Sequence, residues 1–317
     1  MAGNSSTRKK KRNVNTAGYF FVFPFVVVFL IFNVYPVVRT FYLSFFNYKG
    51  YGDLEWKGLD NYTRVFTDKF FWRALGNTCK IWGVNIVLQL GLAFLLTIVF
   101  SDMKYRIKGL GVFRAIFYLP NLIAATSVAF LFRTLLDFQY GTLNQMLMSI
   151  GLIDATTFAN PQSIVNWLGN PRVAPFVVSI IQAWMWFGNS FILLMAGVQG
   201  INRDYFEAAA IDGAGRWTSF AKITIPLLRP ILIYVAITSL IGGLQLFDIP
   251  FLINDQGTSG NPEGKLQTVV MYLYRFGFEG GTKKQVGYAS AIAYVLFLII
   301  LIVSVLEFKF MNRKEAD

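Results

Sequence analysis

The sequence predicts an all-α integral membrane protein with six transmembrane helices. Three observations carry that prediction. Of 317 residues, 55% are hydrophobic and only 15% are charged, against about a quarter charged in an average soluble domain. Six charge-free stretches approach the roughly 20 apolar residues that a bilayer core demands of a helix. They run from Asn13 to Val38, Ile81 to Ser101, Ala115 to Phe132, Val173 to Asn202, Pro230 to Phe247, and Gln285 to Leu306. The lysines and arginines near span ends gather in alternate connecting segments, which is how a chain encodes its orientation in a membrane.

The elements follow in order. The first span begins after the basic run Arg8-Lys9-Lys10-Lys11-Arg12 and has no small-residue cleavage site behind its apolar region, so it reads as an anchor rather than a signal peptide. The short loop from Asp102 to Arg114 carries Lys104, Arg106, Lys108 and Arg114. The segment from Arg203 to Arg229 and the tail from Lys309 to Lys314 are also basic. All of these fall on one side if the N-terminus is cytoplasmic, whereas the three opposite loops are longer and nearly balanced in charge. Both termini are therefore expected inside, with a basic tail over 1–16, a six-helix domain over 17–308 and a C-terminal tail over 309–317. Asn202 is placed to cap a short helix through Ala210, and Asp212-Gly213 suits its end. Pro226 and Pro230 mark the start of the fifth span, where a missing backbone N–H costs least.

The segment 203–229 holds the most specific pattern. Glu207-Ala208-Ala209, three residues, Gly213, nine residues, then Ile223-Thr224-Ile225-Pro226 resembles the EAA loop of importer-type ABC transporter permeases. Only Ile225 departs, standing where leucine is usual, and it keeps the bulk and apolarity. Weaker similarities extend the resemblance to nearly the whole chain. They are Gly58-Leu59-Asp60-Asn61-Tyr62 with Phe66, Asp68 and Phe71 to Thr78; Tyr118-Leu119-Pro120; Asn166 to Pro171; and Pro24 with Asn33-Val34-Tyr35-Pro36. The first span is more like the maltose-F or glycerol-phosphate-A type of carbohydrate-importer permease than the G type.

The resemblance implies a multi-pass subunit of the bacterial cytoplasmic membrane. It would form half of a pore with a second, homologous permease. Two copies of a cytoplasmic ABC ATPase would sit beneath, and an extracytoplasmic solute-binding protein would deliver a sugar. Glu207, Ala208, Ala209, Asp212, Gly213, Ile223 and Pro226 are then the expected ATPase-coupling residues. ATP and Mg would be held by the ATPase, and this chain would bind no cofactor. Consistently, the chain has no Gly-x-x-x-x-Gly-Lys-Ser/Thr phosphate loop. It has no histidine and a single cysteine, Cys79, so metal sites and the commonest general base are not expected. The formal charge of +12 is spread between apolar spans. That suits attraction to anionic headgroups and offers no basic domain for nucleic acid.

Asn85, Gln89, Gln182, Asn189, Gln199 and Gln245 are polar residues within apolar surroundings. Amides in membranes commonly join helices by hydrogen bonds. They also suit sugar hydroxyls, and aromatic rings suit the C–H faces of sugars. Trp184, Trp186, Phe187 and Asn189 cluster in the fourth span, and Gln182, Trp186, Asn189 and Gln245 are taken as candidates for a substrate path. No charge-free stretch holds the basic residue that a phosphorylated ligand would favour, so a neutral mono- or oligosaccharide is preferred over glycerol 3-phosphate or another polyol. An ion-coupled carrier would usually keep an ionisable residue inside the membrane, and these stretches hold none.

Overall fold

The computed structural model describes residues 16–100, 109–160, 163–254 and 257–312. The basic N-terminal cluster, the Lys104 to Lys108 segment and the last five residues lie outside the described part. The first span is helix α1 (Thr16–Phe29), a π-helical turn (Leu30–Val34) and α2 (Tyr35–Leu43). The π turn has a covalent cause: Pro36 lacks an N–H, and its ring crowds the carbonyl four residues back. The Tyr35 N–H accordingly reaches the Leu30 carbonyl, five residues back.

A two-stranded antiparallel ribbon follows, β1 (Phe46–Asn47) against β2 (Glu55–Trp56), then α3 (Asp60–Thr67). Helix α4 (Lys69–Phe100) is the second span. It starts twelve residues before Ile81, because Asp68 caps it by accepting from the Phe70 N–H at 2.9 Å. The added turns carry Arg73 and Lys80.

The third span is corrected by the structure. Instead of one helix over 115–132 there are two, α5 (Leu110–Leu122) and α6 (Ala125–Leu135), bent by 89°. The break falls at Ile123 and Ala124, both extended in ψ, just after Pro120. The described residues thus hold five helices long and apolar enough to cross a membrane, and six spans if the bent pair counts as one.

Helix α7 (Thr142–Ser149) lies in the next connection. Helix α8 (Ala174–Gln199) is the fourth span and the most enclosed. It lies along α4 and α5, and Gly188 lets it do so: a Cβ there would come within 1.9 Å of the Phe117 carbonyl oxygen. Helix α9 (Arg203–Ile211) and α10 (Arg216–Ser219) lead into a second π turn (Phe220–Thr224) and α11 (Ile225–Leu227). Pro226 stands to that turn as Pro36 does to the first, and the Ile225 N–H reaches the Phe220 carbonyl. The fifth span is α12 (Arg229–Leu244), interrupted at Gln245 to Phe247 and continued by α13 (Asp248–Leu252). Helices α14 (Val269–Gly277) and α15 (Val286–Asn312) complete the chain.

The connections sort to two ends. At one, Arg73 donates to the Glu263 carbonyl, Asn77 to that of Gly264, and Arg64 to Gln285 Oε1, tying 60–77 to 263–285. At the other, Phe100, Leu110, Ile201 and Leu228 pack on the cluster around Phe191 and Leu194. That alternation is what six spans require. The first span keeps its apolar side chains outward, with Phe20, Phe21, Phe25 and Phe32 each at least 70% exposed. In a bilayer such a surface meets acyl chains or another subunit rather than water.

Candidate functional site: an amide-lined cavity and an exposed loop

Two places on the bundle carry the residues singled out in the sequence. The first is a cavity of about 350 Å³ bounded by α4, α8, α12 and the break before α13. Gln182, Trp186, Asn189 and Gln245 all line it, from two separate stretches of chain. Asn85, Gln89, Thr238, Ser239 and Asp248 join them. The helical spacing explains the convergence: Asn85 and Gln89 are four apart on α4, while Gln182, Trp186 and Asn189 recur at intervals of four and three on α8. Gln245 reaches the cavity because α12 ends there, with its N–H bonded to the Ile241 and Gly243 carbonyls.

The amides divide by function. Gln89 Nε2 donates to Ser190 Oγ at 2.8 Å and is buried, so it joins α4 to α8. Asn85 Oδ1 is buried without a hydrogen-bond partner, so it keeps acceptor capacity at the cavity wall. Trp186 is 45% exposed and presents much of its indole. The aromatic cluster expected in the fourth span separates here. Trp186 and Asn189 line the cavity, whereas Phe187 is buried and Trp184 packs edge-on against Phe132. Asp248, which the sequence offers only as a helix-end residue, is the one charged side chain in the lining. No lysine or arginine lines this cavity.

The second place is the loop 203–229. Asn202 caps α9 by accepting from the Asp204 N–H at 3.2 Å. At the other end Gly213 has φ +76°. Its N–H bonds to the Ala210 carbonyl, and the Ala214 N–H bonds to that of Ala209. These paired bonds satisfy carbonyls that the helix leaves free, and they require a left-handed residue at Gly213. Glu207, Ala208, Asp212 and Gly213 are all exposed, Ala209 is half-buried, and Ile211 is 87% exposed. Beyond them Phe220 and Thr224 are buried and anchor the π turn, with the Phe220 ring edge-on to Phe94 of α4. Ile223 and Pro226 flank Thr224 on this anchored stretch. The loop is thus a short, rigidly ended helix whose outer surface is uncovered, fastened to the second span by one aromatic contact.

A latch outside both places explains the segment from Phe66 to Thr78. Asp68 accepts from Tyr272 Oη at 2.5 Å and from Tyr288 Oη at 2.6 Å. Arg64 stands over the Tyr288 ring at 3.8 Å. Burial opposes ionisation of Asp68, but the two tyrosines and the backbone N–H groups of Phe70 and Phe71 outweigh it and hold the carboxyl below its usual range. For Tyr272, burial first and then the Asp68 carboxylate push the phenol well above its ordinary value.

Comparison with known proteins decides the family. Residues 81–310 match the family described as binding-protein-dependent transport system inner membrane component. The chain belongs to this family. It is a permease subunit of an ABC importer in the cytoplasmic membrane, and it is not an enzyme. The lactose transport system permease protein LacF of Rhizobium radiobacter is 32% identical over 304 residues, covering 96% of this chain and 97% of the relative. The trehalose/maltose transport system permease protein MalF of Thermococcus litoralis is 32% identical over 309 residues, covering 96% and 97%. The arabinooligosaccharides transport system permease protein AraP of Bacillus subtilis is 30% identical over 302 residues, covering 95% and 90%. Among solved structures, a bacterial alginate ABC transporter in complex with alginate pentasaccharide-bound periplasmic protein superposes with a TM-score of 0.76 at 25% identity, over 94% of each chain.

Proposed function

We propose that this permease forms one half of the membrane path for a neutral sugar and couples that path to an ATPase through the 203–229 loop. The observation that carries the reading is the cavity lining. Five side-chain amides, several hydroxyls and a partly exposed indole surround one space with no cation among them. Such a lining exchanges hydrogen bonds with hydroxyls and stacks on C–H faces, and it offers nothing to hold a phosphate. The single carboxylate, Asp248, disfavours anionic cargo further. The names of the relatives, which include lactose, trehalose/maltose and arabinooligosaccharide permeases, support the class.

On this reading a second, homologous permease completes the path, a solute-binding protein loads it, and two ATPase copies dock beneath. The exposed helix α9 supplies the docking surface, with Glu207 accepting from a donor on the ATPase and Gly213 holding the turn. ATP-driven closure of the ATPase pair would pull α9. Because α9 is fastened through Phe220 to Phe94 on α4, that movement would reach the helix carrying Asn85 and Gln89. The ATPase states differ in their contact with the loop, and that difference is the coupling free energy.

The test is reconstitution of this chain in liposomes, alone and with its partners. Alone it should hydrolyse no ATP and move no sugar. With partners, Trp186→Ala and Asn189→Ala should each raise the uptake KM for a neutral sugar by about tenfold, the loss of one stacking or hydrogen-bond contact. Unchanged affinity, turnover and substrate range in both variants would return these residues to packing.

A further inference from the structure

The cavity does not end at Phe247. That ring lines the cavity and is the first of four aromatic rings in continuous contact. Phe247 stacks on Phe251 with centroids 4.7 Å apart and planes 18° from parallel. It also meets Tyr274 at 5.2 Å. Tyr274 stacks on Phe278 at 5.0 Å and 23°. Each pair is spaced by four residues on a short helix, which brings side chains over one another. The Phe251 N–H bonds to the Phe247 carbonyl at 3.0 Å and the Phe278 N–H to that of Tyr274 at 2.8 Å. Two helical turns from different parts of the chain therefore build one ladder, running from the cavity-lining Phe247 to the exposed Phe278.

The far rung is open. Phe278 is 63% exposed, and its stacking partner Tyr274 covers one face only. The rung is also held in place. Its neighbour Glu279 accepts from Thr258 Oγ1, and Gln267 Nε2 donates to the Thr258 carbonyl at 2.6 Å, fixing the end of α14 to the loop before it. Asp248, next to Phe247, contributes an exposed carboxylate that can accept from neighbouring hydroxyls. Aromatic faces beside a hydroxyl-accepting carboxylate form a surface suited to pyranose or furanose rings. The ladder stands at the end of the bundle opposite the 203–229 loop, since α12 and α13 run once between them.

We propose that Phe247, Phe251, Tyr274 and Phe278 form a second glycan subsite, continuous with the cavity, and that the cargo is a neutral oligosaccharide long enough to occupy both. On this proposal a disaccharide occupies the cavity of about 350 Å³ alone. A longer chain keeps its trailing units on the ladder while its leading unit meets Asn189 and Trp186. This rests on the neutral-sugar reading above and adds chain length to it.

The experiment uses the complete importer in proteoliposomes and compares uptake of a neutral disaccharide with that of the hexasaccharide of the same series. Lactose-, maltose- and arabinose-based series are the probes, following the relatives' names. Phe251→Leu and Phe278→Leu remain apolar, so they preserve packing and lipid contact while removing a ring face. Neither residue lines the cavity. Each should raise the hexasaccharide KM by about tenfold and leave the disaccharide KM within about twofold, with Phe278→Trp retaining hexasaccharide uptake. Disaccharide uptake doubles as the check that the variant folds and assembles. Equal losses for both lengths, or no loss for either, would overturn the ladder while leaving the neutral-sugar reading standing. A wild-type importer that moves no neutral sugar of any length would overturn both.

Discussion

At the scale of single residues, the turn at Gly213 concentrates the most consequence. A side chain at φ +76° is strained by roughly 1 kcal/mol. No neighbouring atom lies within 4 Å of a Cβ built there, so the substitution meets space rather than a clash inside this chain. Gly213→Asp should therefore insert and fold, yet add bulk and charge at the surface proposed to meet the ATPase. Glu207→Gln keeps the shape and loses the charge, and should be milder. Co-purification of the ATPase with each variant, beside uptake in cells, checks this. If Gly213→Asp holds the ATPase and transports as wild type does, the docking assignment fails.

Asp68 gives a prediction in pH. Its carboxyl is held below the usual carboxylate range in the folded protein, so folding favours the ionised form. That contribution is complete above the unfolded value of about 4 and is lost as pH falls through the lower folded value. Asp68→Asn removes the charged acceptor for Tyr272 and Tyr288 and should cost about 1 kcal/mol at neutral pH, at the low end for a hydrogen-bonded charge because the site is partly open to water. Melting of the detergent-purified protein should then show a gap between wild type and variant that narrows as pH drops below about 4. A gap independent of pH would mean that the carboxylate's charge plays no part.

At the scale of elements, the contact between α5 and α8 rests on Gly188. A methyl group there would lie within 1.9 Å of the Phe117 carbonyl oxygen, and that atom belongs to backbone and cannot turn aside. Gly188→Ala should push the helices apart and cost about 1–3 kcal/mol. A lowered melting temperature checks it, while a wild-type value would show that the bent third span gives way cheaply. The two π turns obey a rule visible in sequence once stated. Each ends two residues before a proline, Pro36 or Pro226, because the ring displaces the hydrogen bond that would close an α turn there. Pro120 does something different: it precedes a break with an 89° bend. Proline marks where a helix departs from regularity, and the packing around it selects the form.

At the scale of the whole molecule, the connections divide between two ends, and the basic residues favour the 203–229 end as cytoplasmic. Single cysteines in a Cys79→Ala background, probed with an impermeant thiol reagent on intact cells, should label at Asn61 and resist at Thr218. The reverse pattern would invert the topology. The cavity at the centre of the bundle and the exposed α9 at one end are joined by α4 and α8. Those helices pack closely along their length, with Gln89 bonded to Ser190 at 2.8 Å. Such a rod can transmit a displacement without melting.

The class, the approximate spans and the boundaries of the helix at 203–211 were readable from the sequence alone, because hydrophobic length and local punctuation are properties of contiguous residues. The cap at Asn202 and the left-handed glycine at Gly213 belong to that legible part, since each acts within one turn of helix. Span ends were less legible. Helix α4 runs well past its apolar core: Asp68 caps it locally at Phe70, and the folded chain holds that carboxylate through Tyr272 and Tyr288. The cavity was half legible. Amides and a tryptophan in apolar spans flagged four of its residues, and they converge because helical spacing puts them on single faces. Asn85 and Gln89 were visible only as buried amides. Asp248 joins them solely because α12 breaks at Gln245. The aromatic ladder was not legible at all. Its two pairs lie more than twenty residues apart, and a ring pair spaced by four is commonplace in a chain with 32 phenylalanines. Which pairs meet, and whether they meet beside a cavity, depends on how non-adjacent helices pack, and that is the information only the tertiary structure holds.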